Sequence, residues 1–219
     1  MKSLLVLLAA GSLSLSAGIA GSKHDLSSTA GATLAKFATT QTCVFCHTPH
    51  NSATVQTIPL WNKTSQTAAY TTYTSPGVIL VSGAAPTQPA GASLACMTCH
   101  DGSLSMGAVL NLGGVAATIA ASGATAAVTA GGLLLGGAKL GMDLSNDHPV
   151  SMAYPTDLIA GNNGFVTRTT VLAYANNVKL FSNNVECASC HDVHNSTAFQ
   201  PFLRNDMAAS KLCTQCHIK

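Results

Sequence analysis

Charged and aromatic residues are both scarce in this chain. Asp, Glu, Lys and Arg together make up 8% of its 219 residues, against about a quarter in an ordinary soluble domain. Aromatic residues contribute only 5%, and Trp61 is the single tryptophan. Such a chain cannot build a conventional core of large side chains, so we expect another source of apolar mass inside it. No basic stripe is present, which argues against a nucleic-acid partner.

The N-terminus also lacks a hydrophobic run long enough for a membrane anchor. Lys2 precedes an apolar stretch over residues 4–10, which Gly11 and several serines then interrupt. A transmembrane anchor needs about 20 apolar residues, so it is the weaker interpretation. Small residues at Gly18 and Ala20 are typical of a signal-peptidase site. The sequence therefore predicts an export signal over residues 1–20, with cleavage after Ala20.

What the chain does contain is a CxxCH motif, repeated four times. The motifs are Cys43 and Cys46 with His47, Cys96 and Cys99 with His100, Cys187 and Cys190 with His191, and Cys213 and Cys216 with His217. In c-type cytochromes the two thiols bond covalently to one haem and the adjacent histidine binds its iron. A zinc ribbon does not require a histidine after each pair, and all eight cysteines are consumed by the motifs. We predict four covalently bound haem c groups.

The histidine count suggests the second ligand of each iron. Besides the motif histidines the chain has four more: His24, His50, His148 and His194. Four irons with an imidazole on both faces need eight histidines, and the chain has eight. Methionine is the rival ligand in cytochromes c. The candidates are Met97, Met106, Met142, Met152 and Met207. Each is better explained as a gap-filling core residue.

Two of the motifs extend to CxxCHxxHNS, at residues 43–52 and 187–196, and each is followed by a simple CxxCH. This repeat predicts a first dihaem module over residues 21–147, with a Gly/Ala-rich insertion, and a second over 148–219. In a helical CxxCHxxH the two histidines lie on one face and cannot bind the same iron. The modules favour four pairs: His50 with His100, His24 with His47, His194 with His217, and His148 with His191.

Residues 102–138 contain no charge at all, yet glycine pairs such as 113–114 and 131–132 interrupt them. These pairs predict loops and short strands rather than a membrane helix. Apolar β-formers favour a strand over 78–81 and a hairpin of 170–174 with 178–181. We expect few regular elements: short helices at the CxxCH motifs, short β-hairpins, and long loops wrapped around a stack of four haems.

Several segments resemble the multihaem cytochromes of metal- and electrode-respiring bacteria, especially the OmcE-like tetrahaem extracellular filament cytochromes. The matching segments are CVFCHTPHNS from Cys43, PLWN from Pro59, CMTCHDG from Cys96, DHPV from Asp147, VECASCHDVHN from Val185 and LCTQCH from Leu212. The resemblance covers the motifs and leaves the Gly/Ala-rich middle unmatched. It implies bis-histidine haems in a continuous stack, little regular secondary structure and head-to-tail polymerisation.

The function we expect is electron transfer by an exported, extracellular or cell-surface protein that has no catalytic residues. Its partners would be other redox proteins, extracellular electron acceptors and further copies of the same chain. His24, beside the predicted mature N-terminus, is a candidate for binding an iron in a neighbouring subunit. Two alternatives remain open. One is a monomeric periplasmic shuttle, and the other is a multihaem reductase with an open haem site.

Overall fold

The computed structural model describes residues 18–29, 35–55, 58–64, 69–74, 88–160, 164–175, 177–195, 199 and 201–218. Most of the predicted signal segment and the strand predicted over 78–81 lie outside these described residues. Loops dominate what is described. Within these ranges no helix is long and apolar enough to cross a membrane.

The helices are short and concentrate at the CxxCH motifs. They are α1 (Gly91–His100), α2 (Asp157–Ala160), α3 (Arg168–Leu172) and α4 (Cys187–Cys190), with 3-10 turns at Cys43–Phe45, Gly136–Ala138, Ala208–Ser210 and Cys213–Gln215. Each of the four motifs therefore contains or ends a helical turn. The prediction of short helices at the motifs is confirmed.

The strands form two-stranded pairs. Antiparallel pairs join β1 (Ala53–Val55) to β2 (Ile58–Trp61), β4 (Ala108–Leu112) to β5 (Val115–Thr118), and β7 (Met152–Ala153) to β8 (Asn184–Val185). A parallel pair joins β3 (Thr71–Thr72) to β6 (Asp143–Leu144). The β4–β5 hairpin turns at Gly113 and Gly114, whose φ angles of +65° and +101° suit glycine. The uncharged run thus folds as predicted, into loops and short strands.

The hairpin predicted at 170–174 and 178–181 is wrong. Residues 168–172 form α3 instead, because the Thr167 side chain accepts a hydrogen bond from the Thr170 N–H and caps the helix. Val171 is buried by this turn, so local capping and packing override the β-branched sequence. Downstream, Phe181 forms only an isolated bridge with Asn184.

The described residues form three hydrophobic clusters, of which the third is small (Tyr70, Met97 and Leu144), and the two larger ones each pack against cysteines of two motifs. The first contains Ala35, Phe37, Val44, Phe45, Met106, Val109, Ile119, Val128 and Leu134, with Cys46 and Cys99 against it. The second contains Tyr154, Val171, Val178, Leu203 and Leu212, with Cys190 and Cys216 against it. The predicted boundary at residue 147 separates the two clusters in sequence, but the division into modules stays a prediction.

Candidate haem-binding sites

A backbone segment over residues 59–62, which follows the first motif in sequence, is hydrogen-bonded to both sides of His47; we call this segment the arch. The Asn62 N–H donates to the Cys46 carbonyl at 2.9 Å, and the Thr48 N–H donates to the Leu60 carbonyl at 2.9 Å. His47 lies between these two bonds and bridges to Trp61. Because Cys46 and Thr48, the two neighbours of His47, are both hydrogen-bonded to the arch, backbone bonds alone fix the position of the His47 backbone.

The third motif has the same arch. The Arg204 N–H donates to the Cys190 carbonyl at 2.8 Å, and the Asp192 N–H donates to the Phe202 carbonyl at 2.7 Å. The fourth motif repeats the pattern with a segment that precedes it: the Val166 N–H donates to the Cys216 carbonyl, and the Ile218 N–H donates to the Gly164 carbonyl. Three motif histidines are therefore presented by equivalent backbone, although their surrounding sequences differ.

One position of this arch adopts a left-handed backbone in all three cases. The φ angles are +57° at Leu60, +60° at Phe202 and +76° at Gly164. For a residue with a Cβ this conformation costs roughly 1–2 kcal/mol. Backbone strain of this kind tends to accumulate at functional sites. The arch is thus maintained at some cost to stability in two of its three copies.

The arch also orients the imidazoles. His47 Nδ1 donates to the Pro59 carbonyl at 2.8 Å, and His191 Nδ1 donates to the Pro201 carbonyl at 2.9 Å. His100 Nδ1 donates to the Ala138 carbonyl at 2.7 Å. A hydrogen bond at Nδ1 leaves Nε2 with its lone pair free, which is how proteins prepare a histidine to bind a metal.

Three pairs of imidazoles lie at a spacing that fits one metal ion between them. The ring centres are 6.0 Å apart for His24 and His100, 6.2 Å for His47 and His194, and 6.4 Å for His148 and His217. With metal–nitrogen bonds of about 2.0–2.1 Å, two imidazoles on opposite sides of one ion have ring centres about 6.3 Å apart. Each pair combines one motif histidine with one of the additional histidines.

These pairs differ from those that the two-module reading favours. The 3-10 turn at the first motif ends at Phe45, and α4 ends at Cys190 with His191 in extended backbone. The premise of a helix running through CxxCHxxH was therefore wrong. His50 and His191 remain outside the three close pairs, and both are exposed.

His24 is held in a partly buried position, close to other imidazoles. Its ring centre is 4.7 Å from that of Phe202. The Asp25 carboxylate fixes the loop by accepting hydrogen bonds from the Gly21 N–H at 2.8 Å and the Ser27 hydroxyl at 2.6 Å. Burial, together with His100, His191 and His194, lowers the pKa of His24 to about 4. The imidazole is therefore neutral at neutral pH, as a metal ligand must be.

Cysteines of successive motifs lie near one another, in the order of the sequence. Cys46 and Cys99 pack against the same core cluster, and Cys190 and Cys216 against the other. Between them, a hydrogen bond from the Cys96 thiol lowers the pKa of Cys187 to about 7, while the pKa of Cys96 is raised. The second and third motifs therefore meet at their first cysteines.

The residues present fit covalent haem. All eight cysteines are free thiols rather than disulfides, and three motif histidines have Nδ1 bonded to a carbonyl. Among the described residues no group of three or more His, Cys, Asp or Glu could hold a metal ion by itself. Haem iron needs only two protein ligands, because the porphyrin supplies four nitrogens. Pairs of imidazoles, rather than larger clusters, are the arrangement that this cofactor uses.

Sequence reasoning missed the residues that accept the Nδ1 hydrogen bonds. A signal was available, since Pro59-Leu60 and Pro201-Phe202 follow the motif histidines by 12 and 10 residues. The unequal spacing hid this second repeat. The acceptor for His100, the Ala138 carbonyl, lies in the Gly/Ala-rich run and is not part of a Pro-containing pair like those that serve His47 and His191.

Comparison with known families identifies a model that matches part of the chain. Residues 181–219, which include the third and fourth motifs, match the family model described as Doubled CXXCH motif. A search of curated proteins found no match. Together with the eight cysteines and the sparse secondary structure, the match supports a multihaem c-type cytochrome that carries covalently bound haem c and takes part in electron transfer.

Proposed function

We propose that the chain is an exported tetrahaem cytochrome that carries electrons along a row of closely spaced haems and performs no substrate chemistry. The observation that carries this proposal is that cysteines of successive motifs lie near one another: Cys46 and Cys99 pack against one core cluster, Cys96 hydrogen-bonds to Cys187, and Cys190 and Cys216 pack against another cluster. A haem attached at these sulfurs would therefore have its attachment point close to that of the haem in the next motif. Closely spaced redox centres pass electrons to one another, whereas isolated ones do not.

Haem, when bound, supplies one-electron exchange between ferric and ferrous iron. The chain would hold it through the two sulfurs and the histidine of each motif. His24, His148 and His194 would bind the opposite faces of three irons. The carbonyls of Pro59, Ala138 and Pro201 would keep the proton on Nδ1, so that Nε2 faces the metal. The fourth iron, that of His191, has His50 as its remaining imidazole.

We assign His50 to the iron of His191 in a neighbouring subunit of a head-to-tail polymer. The support is that both side chains are exposed, while the other six histidines already form pairs. His24, the candidate ligand across the interface that the sequence suggests, lies beside His100 in its own chain. Such a contact repeats indefinitely when it does not close into a ring. This fits an extracellular filament, with a periplasmic shuttle as the monomeric form.

A multihaem reductase is the second candidate function, and the exposed His191 favours it. If His50 did not reach this iron, its sixth position would be open to a substrate. The test is turnover of nitrite, hydroxylamine and peroxide by the native protein, compared with free haem peptides. A carrier is expected to match the haem-peptide background. Turnover well above background that a His191→Ala substitution abolishes would establish the reductase instead.

A further inference from the structure

His50 is exposed, yet its backbone carbonyl is held by two buried side chains. The Thr48 hydroxyl donates to this carbonyl at 2.9 Å, and the Asn111 side-chain amide donates to it at 2.6 Å. Thr48 is 4% exposed and Asn111 is 7% exposed, whereas His50 lies at the surface. A carbonyl oxygen has two lone pairs, and both are used here. The loop is therefore fixed at His50 itself, while the residue stays accessible.

Asn111 connects His50 to the first CxxCH motif. The Asn111 N–H donates to the Asn62 side-chain carbonyl at 2.8 Å, and the Asn62 side-chain amide donates to the backbone carbonyls of Asn111 at 3.0 Å and Val44 at 2.6 Å. Asn62, which belongs to the arch, is fully buried, and its backbone N–H donates to the Cys46 carbonyl. A buried polar network whose members are hydrogen-bonded makes its surroundings rigid. His50 is thus held in a fixed position relative to the first haem attachment site.

The corresponding histidine of the repeated segment, His194, is held in a different way. Its backbone N–H donates to the Asp192 carboxylate at 3.2 Å, and Asp192 also forms an ion pair with Arg204 at 2.8 Å. Asp192 takes the place that Thr48 has in the other copy of CxxCHxxHNS. The ring of His194 is paired with that of His47 in its own chain. The two copies of the repeat therefore present their second histidine differently, one to an imidazole of its own chain and the other outside the three close pairs.

We propose that Thr48 and Asn111 are positioning residues that hold His50 out for the iron of His191 in a second copy of this chain. This rests on the proposed function, because it requires both haem and a head-to-tail polymer. A ligand on a fixed loop loses less conformational freedom on binding than one on a loose loop, so it binds more tightly. The same hydrogen bonds fix the first haem attachment site relative to His50, and hence relative to the iron that His50 binds. They set the spacing over which electrons pass between subunits.

The test uses haem-loaded protein isolated from its natural surface and measures the concentration at which half of it sediments as filaments. Electron paramagnetic resonance of the same samples reports the spin state of the ferric haems. Thr48→Val keeps the shape of the side chain without its hydroxyl, and Thr48→Ser keeps the hydroxyl. Asn111→Asp loses the amide donor but still accepts from the Gly114 N–H, as Asn111 does at 2.7 Å. Asn183→Asp makes the same change of charge at an exposed position.

Thr48→Val and Asn111→Asp are expected to raise the half-sedimentation concentration roughly 2- to 10-fold, the range that one lost hydrogen bond produces. At a concentration where the wild type is assembled and low-spin, each is expected to show one high-spin haem in its unassembled fraction. Thr48→Ser and Asn183→Asp are expected to assemble as the wild type does. A merely structural role would lower the unfolding midpoint in guanidinium without this high-spin signal.

Wild-type assembly of both Thr48→Val and Asn111→Asp would overturn the positioning role. An equal loss in Thr48→Ser, or in Asn183→Asp, would also overturn it, since the hydroxyl or the amide would then not be responsible. If Asn111→Asp fails to take up haem, the comparison of Thr48→Val with Thr48→Ser decides. A haem-loaded wild type that never sediments as filaments contradicts the polymer of the proposed function instead.

Discussion

At the scale of single residues, the chain prepares its histidines by fixing which ring nitrogen carries the proton. Backbone carbonyls do this for His47, His100 and His191, and burial keeps His24 neutral. The prediction that all eight histidines bind iron comes from the sequence, because their number matches the axial positions of the four predicted haems. Their pairing could not be predicted, because it depends on loops that bring residue 47 to residue 194.

Substitutions of His24 and His50 distinguish an iron ligand within the chain from one that crosses the subunit interface. His24→Ala removes the partner of His100, so one haem is expected to become high-spin while filaments persist. His50→Ala is its matched counterpart, because it leaves the three close pairs intact. It is expected to dissociate the filaments, measured by sedimentation of protein isolated from its natural surface. Dissociation by His24→Ala but not by His50→Ala would reverse the assignment.

At the scale of secondary-structure elements, one serine joins the helices of the second and third motifs. Ser93, fully buried in α1, donates to the Glu186 carboxylate and accepts from the Cys187 N–H at 2.9 Å. Glu186 also accepts from the Ser151 hydroxyl at 2.9 Å. These bonds hold the N-terminus of α4 against α1. They are what brings the two motifs into contact at Cys96 and Cys187.

Ser93→Ala is therefore expected to destabilise the protein. The substitution removes one hydrogen-bond partner from the partly buried Cys187 N–H and one from the buried Glu186 carboxylate, which costs about 1–3 kcal/mol of unfolding free energy. The measurement is a guanidinium titration of the haem-loaded protein, with Ser122→Ala on the exposed surface as the control. Equal stability of the two variants would mean that Ser93 does not join the helices.

The elements themselves were only partly predictable. Short helices at the motifs follow from the spacing of the cysteines, and the glycine pairs correctly indicated turns between short strands. The residues around Val171 were misread as a strand, because their β-branched side chains outweighed the cap that Thr167 supplies. The left-handed backbone at Leu60 and Phe202 could not be predicted from either residue type; the signal that the sequence did offer was the proline that precedes each of them.

At the scale of the whole molecule, three separate hydrophobic clusters replace the single large core of an ordinary domain in the described part of the chain, and the two larger clusters pack against motif cysteines. This agrees with the scarcity of aromatic and charged residues, because haem would supply the missing apolar mass. A surface with little charge also lacks the electrostatic repulsion that keeps monomers apart. The proposed filament follows from this surface and from the two exposed histidines, His50 and His191, that lie outside the three imidazole pairs.

The central claim is that every iron of the native assembly lies between two imidazoles. Electron paramagnetic resonance of the oxidised native protein tests it most directly, because the spin state of ferric haem reports its axial ligands. The account predicts low-spin signals from all four haems and no methionine–iron charge-transfer band in the absorption spectrum. A high-spin ferric signal in that native, fully loaded protein would mean an open iron and would contradict the account.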